Sequence, residues 1–158
     1  MNKLPVAVIS DHSPQRALFV SPDMKLETVL ERLLDESTHK SIFLIDEKGV
    51  LAGIMNLKEL LIWGWLHLGL ISVPFPLLSE RKLRRLGRSQ LAADLSIPDS
   101  QEMTISLQTT IEQAMNTLLL SNLNVVAVVN ENGRVVNDLH VDDLLANTMK
   151  EAKGRINA

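Results

Sequence analysis

The chain has 158 residues, a length that fits one compact domain or two small subdomains sharing a core. With 46% hydrophobic residues it can build that core, and a net charge of −3 gives no basic face for nucleic acid phosphates. The absence of cysteine excludes disulfides and thiolate metal sites and points to a reducing compartment.

The N-terminal stretch MNKLPVAVISDHS lacks a long apolar core and a small-residue cleavage pattern, so a cytoplasmic location is expected. Within it Val6 to Ile9 is a short apolar run, closed by Ser10-Asp11-His12-Ser13-Pro14, and reads as an arm or first strand packed on the rest. Ala17 to Val20 reads as a strand, and Ser21-Pro22-Asp23 turns it into a helix over Lys25 to Asp35. Spacings of three and four place Leu26, Val29, Leu30, Leu33 and Leu34 on one face of that helix. Glu36 to Lys40 is a polar loop.

Ile42 to Leu61 then reads as two apolar strands joined by a turn and running into a helix. Asp46-Glu47-Lys48-Gly49 is turn chemistry, with Gly49 free to take positive φ. Asn56 is a good helix N-cap ahead of Leu57, Leu60 and Leu61.

The same design returns at Val126 to Leu145. Gly49 matches Gly133, Leu60 matches Leu144 and Leu61 matches Leu145, each 84 positions on. Upstream, Met103 to Ile105 is the short strand, Ser106-Leu107-Gln108-Thr109 the turn, and Ile111, Ala114, Met115, Leu118 and Leu119 the buried helix face. There the offset is 85 (Leu26 to Ile111), so one residue is lost between helix and strand in the second copy. One indel in a loop, with both flanks in register, marks a true internal repeat. The fold class expected is α+β, two tandem β-α-β-β-α units.

Two such units, each with a hairpin glycine and a helix closing on an acidic residue and Leu-Leu, resemble a cystathionine-β-synthase (CBS) domain pair, or Bateman module. The resemblance covers copies at residues 17–66 and 92–147 of a single module 1–158, with a linker at 67–91. Ala93-Asp94-Leu95 followed by Thr104-Ile105-Ser106 resembles the family's lead-in. It implies units packed with pseudo-twofold symmetry, a module that performs no chemistry, and frequent homodimerisation. It also implies an adenine nucleotide (AMP, ADP or ATP) or an S-adenosyl compound such as S-adenosylmethionine bound between the copies.

The family's ligand motif is Gly-h-x-Ser/Thr-x-x-Asp, with h apolar. The hydroxyl stands at a helix N-terminus that welcomes phosphate, and the Asp accepts the ribose hydroxyls. In the first copy the matched residues are Gly53, Asn56 in place of the hydroxyl, and Glu59 in place of Asp. In the second, Asn137 stands at the glycine position, His140 at the hydroxyl position, and Asp143 matches. The resemblance therefore nominates Gly53, Asn56, Glu59, His140 and Asp143 as ligand-binding. The plainer reading makes Asn56 an N-cap and Glu59 and Asp143 solvated helix carboxylates. A module with vestigial clefts, acting as a constitutive dimer or scaffold, is the alternative function.

Leu60 to Leu78 is apolar-rich and is followed by Arg81-Lys82 and Arg84-Arg85. Gly64, His67, Gly69, Pro74 and Pro76 interrupt it, and a span there would put the copies on opposite sides of a membrane. An extended helix plus a Pro-rich crossover is expected instead, with Trp63 and Trp65 as anchors for a second subunit or, over 63–78, a protein partner. Glu80 to Arg88 carries five basic residues beside one acid: a solvated helix face, or a clamp for ligand phosphates or an acidic surface. The histidines at 12, 39, 67 and 140 have no zinc spacing. Asp138, His140 and Asp142 alternate and read as a solvated turn, a metal-dependent hydrolase there being the remote alternative. No P-loop, Gly-x-Ser-x-Gly or His-Glu-x-x-His is present, so no metal centre and no enzyme are expected.

Overall fold

A computed structural model describes residues 3–11, 15–35, 39–69 and 78–156. After a short helix α1 (Ala7–Ser10), the first unit runs β1 (Ala17–Val20), α2 (Leu26–Asp35), β2 (Ser41–Ile45), β3 (Leu51–Ile54) and α3 (Leu57–His67). A connecting helix α4 (Glu80–Arg88) follows, then the second unit: β4 (Thr104–Ser106), α5 (Ile111–Leu120), β5 (Val125–Val129), β6 (Val135–His140) and α6 (Val141–Ile156). Each unit has a three-stranded sheet with the middle strand parallel to the first and antiparallel to the third.

The repeat is kept down to its irregularities. The hairpin register shifts between Leu44 and Ile45 and again between Val128 and Val129, 84 residues on. Both turns are built alike. Asp46 Oδ1 accepts the Lys48 and Val50 N–H groups, Asn130 Oδ1 those of Asn132 and Arg134, and Gly49 and Gly133 supply φ of 82° and 76°. The parallel pairing sets Phe19 opposite Phe43 and Thr104 opposite Ala127, which confirms the extra residue before β2. Of the loop that holds it, residues 36–38 lie outside the described residues.

The central strands are buried on both faces, which is why they read as unbroken apolar runs. Ile42 and Leu44 point into their own unit's helices, with Leu18, Leu26, Val29, Leu60 and Trp63. Their neighbour Phe43 points the other way and packs with Ala17, Leu51 and Ile54 against Val125 and Ala127 of the second sheet. Strand alternation in β1 and β2 thus turns Ala17 and Phe43 to the shared core between the sheets, where Ile97, Met103 and Leu123 from outside the strands also pack.

The segments that precede the units are crossed. Val6 N–H donates to Thr109 O and Ile111 N–H to Leu4 O, so the N-terminal segment docks on the second unit. In the matched geometry Ala92 N–H donates to Met24 O and Leu26 N–H to Gln90 O, docking the second lead-in on the first unit.

Several expectations need correction. Val6 to Ile9 packs on the rest as the arm and not as the first strand: after one bridge at Pro5 it coils into α1, which buries Val6 and Ile9 in the second unit's core. Leu34 and Leu119, placed on buried helix faces by spacing, are 74% and 78% exposed, because each lies about 140° round the helix from the Val29 or Ala114 contacts. Trp63 is no surface anchor. It is 2% exposed, and its Nε1–H donates to Ser89 O at 2.9 Å beneath α4. Trp65 is 41% exposed. The Pro-rich crossover lies outside the described residues, and among those described no helix is long and apolar enough to cross a membrane.

Candidate functional site at the junction of the two units

In the first unit the motif spans the end of β3 and the start of α3. Gly53 is required by close approach: a Cβ there would meet Ser96 Oγ at 2.1 Å. The 95–100 segment runs along that edge, with Ile97 N–H donating to Ile54 O, Asn56 N–H to Leu95 O, and Ile54 N–H to Ser100 Oγ at 2.8 Å. Asn56 is the N-cap, its Oδ1 accepting from Lys58 N–H at 3.1 Å and Glu59 N–H at 3.2 Å. The free donors that would hold a phosphate are therefore partly satisfied by the cap itself. Glu59 is not a solvated carboxylate. It is 7% exposed, and Arg85 of α4 donates from Nη2 to both its oxygens, at 2.5 and 2.6 Å.

The second motif lies on β6 and the first turn of α6. Asn137, at the glycine position, is buried and donates from Nδ2 to Ser10 O and Ser10 Oγ on the docked N-terminal segment. Asp138 and His140 are buried strand residues and not a solvated turn. His140 Nε2 donates to Asp138 Oδ2 at 2.5 Å, while Asp138 Oδ1 accepts the Arg16 N–H at 3.0 Å. His140 therefore does not turn its ring to the helix end. Asp143 caps there instead, its Oδ2 accepting the His140 N–H at 2.8 Å.

Opposite this turn stand two cations of the first unit. Arg16 donates from Nη1 to Asp142 Oδ2 at 2.9 Å and from Nη2 to Asp143 Oδ1 at 2.7 Å, and Lys40 Nζ donates to Asp142 Oδ2 at 3.1 Å. The hydrogen bond from Arg16 holds Asp142 down to a pKa of about 2, with Lys40 adding to it, and the same bond raises Arg16. Next to Lys40, Ser41 begins β2 in register with Ala17, and strand alternation puts it on the Phe43 face, toward the second unit. Ser41 is 5% exposed, and its Oγ is the one buried side-chain polar atom without a hydrogen-bond partner among the described residues.

The structure thus brings Asn56 together with Glu59 and His140 with Asp143, each pair about one helix end, with Gly53 shaping the edge of the first. The partners escaped sequence reading because Arg16, Lys40 and Arg85 come from distant segments and carry no motif; only the basic run around Arg85 gave a signal. Among the described residues no group of three or more His, Asp or Glu could hold a metal ion.

The CBS domain family model matches the chain at residues 6–64 and 92–150. Comparison with curated protein sequences gives no match. Among solved structures, CBSX2 of Arabidopsis thaliana in complex with AMP is similar at TM-score 0.65 and 18% identity, covering 94% of this chain and 98% of that one. A CBS domain-containing protein from Thermotoga maritima superposes at TM-score 0.67 and 17% identity, with 95% and 97% covered. The CBS domain pair of MJ0100 in complex with 5′-methylthioadenosine and S-adenosyl-L-methionine gives 0.65 and 14%, with 94% and 98% covered. With the matched segments repeating one β-α-β-β-α unit about a shared sheet core, the chain belongs to the CBS domain family, as a tandem pair.

Proposed function

We propose that this chain is a regulatory module that binds an adenine nucleotide or S-adenosyl-type ligand between its units and passes the change to a partner protein. The observation that carries this reading is the junction of Arg16 and Lys40 with Asp142 and Asp143, beside the unpartnered Ser41 hydroxyl. Such a site offers a carboxylate for a ribose diol, two cations for a phosphate or amino-acid carboxylate, and a buried hydroxyl for a base or sugar. AMP bound to CBSX2, and the two adenosyl compounds bound to the MJ0100 pair, are ligands of that chemistry.

The mechanism follows from who holds whom. Arg16 and Lys40 belong to the first unit, and Asp142 and Asp143 to the second. A ligand that takes Asp143 and Arg16 for itself exchanges direct inter-unit ion pairs for bridged ones, and so favours one relative placement of the units. A partner that prefers that placement reads the ligand.

Thermal unfolding with AMP, ADP, ATP, 5′-methylthioadenosine and S-adenosylmethionine tests this. A ligand at 100 times its dissociation constant adds about 2.7 kcal/mol, so a rise in Tm with one of them is expected. Calorimetric titration of the half-exposed Lys40→Ala variant separates phosphate from neutral ligands, since only the former loses affinity. No rise with any ligand would leave the constitutive scaffold. That second reading has its own support, because every motif carboxylate already has a protein partner. Leu119, Leu120, Leu145 and Met149 are also 58 to 90% exposed on α5 and α6, and we propose them as the face that joins a second copy into a homodimer.

A further inference from the structure

Helix α4 belongs to neither repeat unit, and its chemistry is unlike the rest of the chain. Ser79 caps it, its Oγ accepting the Lys82 N–H at 3.1 Å, and Leu86 fixes it to the first unit's core with no exposure. Arg85 ties it to Glu59. The remaining cations face out. Arg81, Lys82, Arg84 and Arg88, with Glu80, Ser89 and Asp94, line an open groove of about 1180 Å³.

The cations differ in what they are free to do. Arg85 is committed, because leaving Glu59 would strand a buried carboxylate. Arg84 pairs only with exposed Glu80, at 2.5 Å, a surface contact worth little and readily given up. Arg81, Lys82 and Arg88 have no ion pair among the described residues. The groove's other carboxylate, Asp94, accepts the Gln90 and Leu91 backbone N–H groups and forms no ion pair with the arginines among the described residues. Arg81, Arg84 and Arg88 recur at three and four, on one helix face about 10 Å long.

We infer that the α4 groove is a docking site for an acidic peptide segment of a partner protein, bound extended with carboxylates on alternate residues. Alternate side chains of an extended chain lie about 6.5 Å apart, against a rise of about 4.5 and 6 Å between successive arginines along α4, a difference that the long, exposed arginine side chains can span. An extended polyanion is the poorer fit. The molecule as a whole carries −3, and a nucleic acid or anionic membrane longer than the groove meets that repulsion, while a short peptide meets the groove alone. Nor, among the described residues, does an aromatic side chain line the groove to stack a base.

The test is fluorescence anisotropy of a labelled peptide of alternating Ser and Glu, eight residues long, titrated with the full chain at about 0.15 M salt. Saturable binding is expected, weakened about tenfold by the double substitution Arg81→Glu/Arg88→Glu. Both side chains are exposed, and an unchanged melting temperature shows that the variant folds. The double substitution Lys3→Glu/Lys150→Glu makes the same change of net charge elsewhere and is expected to leave binding intact. Three outcomes overturn the inference: no saturable binding, equal weakening by the two double variants, or tighter binding of octathymidylate or phosphatidylserine vesicles through the same arginines. The peptide assay needs no nucleotide, so its result is independent of the ligand proposed for the unit junction.

Discussion

Arg85 on α4 donates to both carboxylate oxygens of Glu59 on α3, and the pair closes the first unit's motif with a residue from outside the repeat. The carboxylate side is 10% exposed and the guanidinium side 48%, so the cost of breaking the pair is asymmetric. Arg85→Ala should destabilise the fold by about 1–3 kcal/mol, the penalty of a buried charged acceptor left unmet. Glu59→Gln should cost less, and the double variant no more than Arg85→Ala alone. Urea unfolding of the four proteins of this cycle measures the coupling. Strictly additive losses would mean that water satisfies Glu59 without Arg85.

Gly53 is fixed by packing in a way that a second substitution can expose. An added Cβ would overlap Ser96 Oγ at 2.1 Å, and would still sit 3.3 Å from Ser96 Cβ. Gly53→Ala should therefore lower stability by about 1–3 kcal/mol, as overpacking does. Gly53→Ala/Ser96→Ala should recover most of that loss, because it removes the colliding oxygen. Failure of Ser96→Ala to rescue would move the constraint from the side chain to the backbone of the 95–97 segment.

The fold was legible because its signals are local. Hairpin glycines at 49 and 133, apolar spacing in α2 and α5, and a single indel each report on a few adjacent residues, and the structure keeps them in register. Asn56 as an N-cap is of the same kind. What could not be read depends on long-range partners. Trp63 looked like a surface anchor because α4, which covers it, begins 17 residues later across a Pro-rich stretch. Asp138 and His140 looked solvated because the Arg16 backbone that meets Asp138 lies 122 residues away. Leu119 looked buried because spacing gives a stripe but not its width.

The junction carries a pH dependence whose sign follows from Asp142. Its folded pKa of about 2 lies below the usual unfolded value of about 3.9. The carboxylate thus contributes stability in full above about pH 4, lost as pH falls through the folded value, over a window of about pH 4 to 2. Half-exposed Asp142 is screened, so the loss is small in absolute terms and best seen by difference. Asp142→Asn should be less stable than wild type at pH 7 and converge with it at pH 2 in urea titrations. A gap between the two that stays constant from pH 7 to 2 would show that the Arg16 and Lys40 contacts contribute nothing through charge.

The exposed leucines of the second unit set the last expectation. Leu145 and Met149 lie four apart on α6, 59% and 58% exposed, and Leu119 and Leu120 end the adjoining α5 at 78% and 90%. Fully burying a side chain of this kind contributes about 1.5–3 kcal/mol, and exposed apolar residues gathered on two adjoining helices are the kind of surface that a partner covers. A second copy related by a twofold axis can cover the patch with the same patch, the commonest closed arrangement of identical chains. Leu120→Glu/Met149→Glu should then convert the proposed dimer to a monomer in sedimentation velocity, with far-UV circular dichroism unchanged because neither side chain enters the core. Leu34→Glu, an equally exposed leucine on α2 of the first unit, should separate the two helix layers. If it alone dissociates the dimer, the copies meet through the first unit; if only the α5 and α6 pair does, they meet through the second.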